Sequence, residues 1–332
     1  MSAPGSAVGV LKEQLRGVVS EALSEQVTVH DLRQLTGGAS RETWSFDAVR
    51  GNGQIRPLIL RRDPPGAPRE GMSVEALAIK AAGRAGVPEP EVIAYGDDGA
   101  ALDAPFIVMQ RLEGETLARR ILRDDAYAEV RPRLAEQCGE ILGRIHGIPT
   151  DEVPCLRHPD VLADVRDTIR SFDDASPALE LGLRWLEEHR PQPTGEVVVH
   201  GDFRNGNLVI GPDGIRGVLD WELVHRGDPM QDLGYLCVRA WRFGVDRPVG
   251  GFGSYEDLFS GYERVSGRRV DPDVVRWWEV FGTVWWGGAC MRQAWRHLSG
   301  EERSVELAAI GRRVWEQEYD VLLLLEARLA GE

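Results

Sequence analysis

Little in this chain points toward a membrane, a nucleic acid or a metal cage. Its four cysteines, Cys138, Cys155, Cys237 and Cys290, lie 17, 82 and 53 residues apart. None of these intervals suits a zinc site or a redox pair, so they read as free, buried thiols of a reducing cytosol. No stretch approaches the ~18 apolar residues that a transmembrane helix requires. The opening segment, MSAPGSAVGVLKEQL, lacks the apolar core of a secretory signal. A cytoplasmic protein without a membrane partner is therefore expected. Basic excess is missing too: 39 Lys and Arg face 53 Asp and Glu, for a net charge of −14. Nucleic acids and anionic membranes select basic patches, so neither is an expected partner. An acidic surface suits a cationic small molecule, but it is also a plain solubility device. There is no internal repeat, and no biased tract beyond a short Ala/Gly/Ser-rich start.

What is present is a chain of 332 residues, long for one domain and natural for two lobes. Apolar residues near a 3.6 period predict a helix over 9–25. Strands are predicted at 27–35, around Trp44 to Ala48, and at 57–62. The turn Leu35-Thr36-Gly37-Gly38-Ala39-Ser40 separates the first two. Ser73 is placed as the cap of a helix reaching Arg84. Extended segments follow at 92–95 and 104–109, and Gln110 to Gly114 reads as a hinge. Helices are predicted near 126–146, 160–171, 175–189, 228–242, 255–265, 271–297 and 301–330. Strands first and helices afterwards give an α+β arrangement, with an N-lobe over 1–109, a hinge at 110–114 and a helical C-lobe over 115–332.

The chemistry concentrates in His200-Gly201-Asp202-Phe203-Arg204-Asn205-Gly206-Asn207. The apolar run Val197 to Val199 precedes it, and Gly217-Val218-Leu219 leads into Asp220-Trp221-Glu222. Asp202, Asn207 five residues later and Asp220 thirteen beyond that are expected around a strand–loop–strand hairpin. Phosphoryl transfer from a metal-bound nucleotide uses such a set. One carboxylate orients the attacking hydroxyl, while an amide oxygen and a second carboxylate hold Mg²⁺ on the phosphates.

The segment HGDFRNGNLVI…GVLDWE resembles the catalytic and metal-binding loops of the aminoglycoside phosphotransferase-like family, relatives of protein and choline kinases. It is most similar to the branch that also resembles the kinase domain of some acyl-CoA dehydrogenases. The resemblance runs from about residue 30 to about residue 300. It implies a protein-kinase-like bilobal fold, with a small antiparallel sheet in the N-lobe and a mostly helical C-lobe. It also implies ATP, with GTP as the alternative nucleotide, and Mg²⁺. In those terms Asp202 is the hydroxyl-orienting base, Asn207 and Asp220 are the metal pair, and Arg204 meets the transferring phosphate. Arg61 stands where protein kinases carry a lysine, with Glu75 as its helix partner. Gly37, Gly38 and Ser40 would cover the phosphates, Met109 would sit behind the adenine, and the Gln110 carbonyl and Leu112 amide would read the base edge. His200 reads as a brace of the loop and Glu222 as a residue that shapes it. Asp228 resembles a helix N-cap with Pro229 at the first helical position. Asp232 then falls at the fourth position, as scaffold near the loop.

The acceptor is less defined. Trp277, Trp278, Phe281, Trp285, Trp286 and Trp295 share one predicted helix, and Trp241 and Phe243 end an earlier one. Spacings of seven and eight make a core stripe, while adjacent pairs diverge by about 100°, leaving one of each pair to line an aromatic acceptor pocket. An amino sugar, a hydroxyacyl thioester and a small amino alcohol all remain open as acceptors. No acidic cluster for a polycation stands out on the Trp-rich helix, and Arg292, Arg296 and His297 lean the other way. The alternative to catalysis is a nucleotide-binding regulatory pseudokinase. The fold does not fix the acceptor, and the oligomeric state is not readable.

Overall fold

The computed structural model describes residues 4–35, 41–64, 71–172 and 176–329. The phosphate-covering turn with Gly37, Gly38 and Ser40 lies outside them. The chain divides into two compact units: residues 1–113 with 151–155, and residues 114–150 with 156–332.

The first unit is built on period-two alternation. Strands β1 (Val27–Leu35), β2 (Glu42–Arg50), β3 (Ile55–Arg62), β4 (Val92–Gly96) and β5 (Phe106–Gln110) form one antiparallel sheet in the order β1-β2-β3-β5-β4. Val27, Val29, Phe46, Ala48, Leu58, Leu60, Phe106 and Val108 face one side, where they bury Leu11, Leu15 and Val19 of helix α1 (Pro4–Leu23). Odd positions of β5, Ile107 and Met109, point to the other side and meet Met72 and Ala76 of helix α2 (Met72–Arg84). A sheet covered on both faces has two apolar layers, and neighbouring residues of one strand serve different layers. The α2 cap is Gly71, in a left-handed conformation, rather than Ser73. Ser73 is inside the helix, and its N–H takes the Asp97 carboxylate at 3.0 Å.

The second unit is helical: α3 (Ala118–Arg123), α4 (Leu134–Ile145), α5 (Val161–Arg170), α6 (Pro177–Glu188), α7 (Met230–Cys237), α8 (Tyr255–Ser266), α9 (Pro272–Leu298), α10 (Val305–Gly311) and α11 (Val314–Leu329). Helix α9 is its spine; α5, α6, α7, α10 and α11 all pack on it. Asp271 starts it, accepting from the Asp273 N–H at 2.9 Å with Pro272 at the first helical position. Helices α4 and α8 cross closely at Gly139, where a Cβ would fall 2.1 Å from the Leu258 carbonyl oxygen.

Three expected helices are broken. The segment 126–146 begins as 3-10 turns at 125–127 and 131–133, and becomes α-helical only after Pro132. The segment 228–242 ends as α7 at Cys237, because Val238 is extended and a 3-10 turn follows over 239–242. The segment 301–330 splits at Arg312 and Arg313, where Gly311 presses onto Ala294 of α9. Cys138, Cys237 and Cys290 are buried, but Cys155 is exposed, against expectation; all four are free. Among the described residues no helix is long and apolar enough to cross a membrane.

Candidate active site

The expected hairpin is really two separate ladders. Strand β6 (Val197–Val199), three buried valines, pairs with β9 (His225–Gly227). Strand β7 (Leu208–Gly211) pairs with β8 (Gly214–Val218). The loop 200–207 connects the two ladders. Asn207 immediately precedes β7, and Asp220 follows β8 after Leu219. The Leu219 N–H donates to the Asn207 carbonyl at 2.8 Å, which closes the base of the β7–β8 hairpin. Asn207 and Asp220, the expected metal pair, are thus drawn together by one ladder, and Asp202 is delivered by the other.

Asp232 of α7 holds the start of the loop. Its carboxylate accepts from the N–H groups of His200 and Gly201 at 2.8 and 2.9 Å, and from His146 Nε2 at 3.1 Å. Burial alone would raise this carboxyl. The His146 hydrogen bond and the positive potential around it prevail, and its pKa stays below the usual range. Helix α7 starts one residue later than expected, with Pro229 as its cap, so Asp232 takes the third helical position. Asp228 precedes the cap, yet its Oδ1 still accepts from the Met230 N–H at 2.8 Å. At Gly201 the backbone is left-handed, with φ of 84°, and a Cβ would lie 2.6 Å from the Leu223 carbonyl oxygen. Only glycine meets both conditions.

His200 links the two ladders. Its Nδ1 accepts from the Asp202 N–H at 3.1 Å, and its Nε2 lies 3.1 Å from the Leu219 carbonyl. A peptide N–H only donates and a carbonyl only accepts, so the ring is neutral with its proton on Nε2. Burial also pushes its pKa down.

Asp202 uses both oxygens. Oδ1 accepts from Arg204 Nε at 3.1 Å, and Oδ2 accepts from Asn207 Nδ2 at 2.6 Å. Asn207 Nδ2 also reaches the Asp202 backbone oxygen at 3.0 Å. With its amide hydrogens so committed, the Asn207 Oδ1 is turned away from Asp202. Burial lifts the Asp202 pKa to about 6; Arg204 opposes the shift and the Asp220 charge adds to it. Asp220 is left-handed, at φ 70° and ψ 57°, a conformation that Asp tolerates better than most residues. Glu222 is half-buried in the 3-10 turn that follows. The four residues singled out here, Asp202, Arg204, Asn207 and Asp220, therefore gather at one place. Two hard oxygen donors, the Asn207 amide oxygen and the Asp220 carboxylate, suit Mg²⁺ when phosphate oxygens complete the shell. Among the described residues no group of three or more His, Cys, Asp or Glu is arranged to hold a metal.

Arg204 also lies over the Trp241 ring, 4.6 Å from its centroid, and Trp241 packs on Trp286 and Tyr235. This aromatic wall beside Asp202 combines Tyr235 of α7, Trp241 of the 3-10 turn and Trp286 of α9. Tyr235 was not foreseen. Its buried hydroxyl is raised well above an ordinary phenol, first by burial and then by the Asp202 charge, so it stays protonated. Of the adjacent tryptophans, Trp277 and Trp278 are both core, and neither turns out of it.

The first unit holds the other group. Arg61 on β3 bonds Glu75 of α2 at 2.6 Å, and Arg62 on the opposite face bonds Glu42 at 2.8 Å. Glu75 is shared: Arg41 also pairs with it, and Arg41 reaches Asp63 at 3.2 Å. Arg41, Asp63 and Glu75 are all buried. Sequence reasoning missed Arg41 and Asp63, which read as loop residues; only their charge beside Arg61 hinted at more. Met109 is buried against Met72 and Ala76, while the Gln110 side chain is exposed and Leu112 half-buried.

The sequence model of the phosphotransferase enzyme family matches residues 31–270. The chain belongs to that family. Mouse acyl-CoA dehydrogenase family member 10 is 30% identical over 200 residues, 55% of this chain and 18% of the relative. The chain thus spans less than a fifth of that protein's length. The aminoglycoside 3'-phosphotransferase of Streptomyces fradiae is 24% identical over 245 residues, 69% of this chain and 87% of the other. A spectinomycin phosphotransferase, solved with ADP and spectinomycin, superimposes with a TM-score of 0.65 at 14% identity, covering 94% of this chain and 98% of that one. The fold is accordingly protein-kinase-like, with a sheet-bearing N-lobe and a helical C-lobe.

Proposed function

We propose that this phosphotransferase moves the γ-phosphoryl group of Mg-ATP to a hydroxyl of a small molecule in the cytoplasm, with GTP as the alternative donor. The observation that carries the reading is the Asp202–Asn207 contact, 2.6 Å long, beside the Asp220 turn. The nucleotide seen in the spectinomycin phosphotransferase supports the donor.

Asp202 orients the acceptor hydroxyl and takes its proton late in the transfer. Asn207 fixes the Asp202 carboxylate and, with Asp220, offers oxygen ligands. Mg²⁺ held by Asn207 and Asp220 would neutralise charge on the phosphates. Arg204, anchored on Asp202 and Trp241, supplies a permanent positive charge on the same side. Arg61, fixed by Glu75, serves the α- and β-phosphates. Gly37, Gly38 and Ser40 cover the phosphates from the preceding turn. Met109, Gln110 and Leu112 form the base-binding edge.

The test is thermal melting of the wild type and Asp220→Ala, with and without Mg²⁺ plus ATP or GTP, followed by phosphate transfer to a panel of alcohols. A metal-dependent rise in Tm that the variant loses, together with a phosphorylated alcohol, is the expected result. A rise without any transfer would favour a regulatory nucleotide-binding protein. No rise with either nucleotide would sink the reading.

A further inference from the structure

Helix α11 carries a pattern that its own fold does not use. Gln317, Asp320 and Val321 are buried against the rest of the second unit. On the opposite face Trp315, Tyr319 and Leu322 are 75%, 58% and 46% exposed. At about 100° per residue these three fall within roughly 60° of arc. Their spacing of four and three is that of a helix–helix seam. The stripe continues into a groove of about 490 Å³ on the same unit, lined by Trp295, Leu298 and Trp315 among others. Leu298 is 81% exposed.

Charge closes both ends of the stripe. Arg312 lies three residues before Trp315, in right-handed helical conformation at φ −65° and ψ −17°. Glu326 lies four residues after Leu322. Both are exposed, and among the described residues neither has an ion-pair partner. Glu326 stands near the C-terminal end of α11, where the macrodipole disfavours an anion, whereas Arg312 caps the C-terminal end of α10 just before α11 begins. Arg312 and Glu326 are equidistant from Tyr319, seven residues to either side. The face therefore reads as positive, apolar, apolar, apolar, negative, and it is complementary to itself when turned end for end.

We propose that α11 is the interface of a two-fold homodimer, in which two copies pack their α11 helices antiparallel about Tyr319. Each Arg312 then meets Glu326 of the other copy, and the misplaced Glu326 finds the N-terminal end of the facing α11. Trp315 and Leu322 of one helix cover Leu322 and Trp315 of the other. A two-fold contact of this kind is closed and makes dimers rather than chains. The proposal does not depend on the catalytic reading.

The experiment is light scattering coupled to size exclusion, over a range of protein concentrations, on four proteins: wild type, Arg312→Glu, Glu326→Arg and the double variant. Circular dichroism melting reports whether each is folded. The wild type is expected at twice the chain mass of 36.8 kDa. Each single variant should place like charges opposite one another and weaken the dimer at least tenfold in Kd. The double variant restores the pairing with its signs exchanged, and should recover the dimer. Tyr319→Asp, at the centre, should leave a folded monomer. A monomeric wild type overturns the proposal. So does a dimer that Tyr319→Asp does not disturb, or a double variant no better than the singles while all remain folded.

Discussion

The two units each gather charged side chains, and they balance them differently. In the first unit Arg41 and Arg61 face Asp63 and Glu75, two positive groups against two negative, bonded to one another. In the second, Asp202 bonds Arg204 with the Asp220 charge nearby, and the Asp202 pKa is pushed up to about 6, first by burial and then by Asp220. The first set is complete within the protein. On the proposed function the second set also receives a metal cation.

The comparison can be broken by substitution. Asp202→Asn should have the largest effect: phosphate transfer falls by about 10²–10⁴-fold, as expected for loss of a general base. Single-turnover transfer measures this, and an unchanged nucleotide-dependent Tm shift separates it from loss of binding. Glu75→Ala removes the acid shared by two arginines. Breaking a buried pair from one side costs about 3–5 kcal/mol, and urea unfolding should register that in the first unit even without nucleotide. Were the loss negligible, the first set would not be the closed network described. Asp220→Ala should abolish a metal-dependent stabilisation of about 2.7 kcal/mol, the gain for a ligand at roughly 100 times its Kd. It should cost little in the absence of Mg²⁺, because it removes a charge that raises the Asp202 carboxyl.

The smallest effect lies outside both sets. Burial raises the Asp320 carboxyl to about 6, with Arg239 and Arg242 opposing, against about 3.9 in an unfolded chain. Between those values the folded protein holds a proton that the unfolded chain has released. The contribution of this residue to stability therefore falls as pH rises through that window, and stays low above it. Asp320→Asn removes the slope: relative to wild type, the variant should gain stability from pH 4 to pH 6 and then level off. Unfolding at a series of pH values checks it, and a difference that does not vary with pH would contradict it.

Much of this was legible beforehand where a residue's job is local. Strand β1 falls at the expected 27–35, because alternation and a following turn define it. The loop 200–207 was readable because its residue types and spacing are tied to one chemistry. The breaks in the long helices were not. Pro132 could have been noticed, but Val238 turns extended only because of what surrounds it, and Gly311 matters only because Ala294 lies opposite. The same holds for the site. Arg61 and Glu75 were found through resemblance. Arg41, Asp63 and Tyr235 were missed because burial makes them important, and burial is decided by segments distant in sequence. The pairing of β6 with β9 instead of β8 is another such long-range choice.

One such choice concerns how the site comes into being during folding. The loop that bears Asp202 is fastened by Asp232, thirty residues further along, and through it to His146 far upstream. A chain truncated after residue 225 would keep Asp202, Asn207 and Asp220 and yet lack the carboxylate that fastens their loop. The geometry of this loop is thus acquired only after Asp232 has left the ribosome. A nascent chain that already displays its whole motif would still be unable to use it.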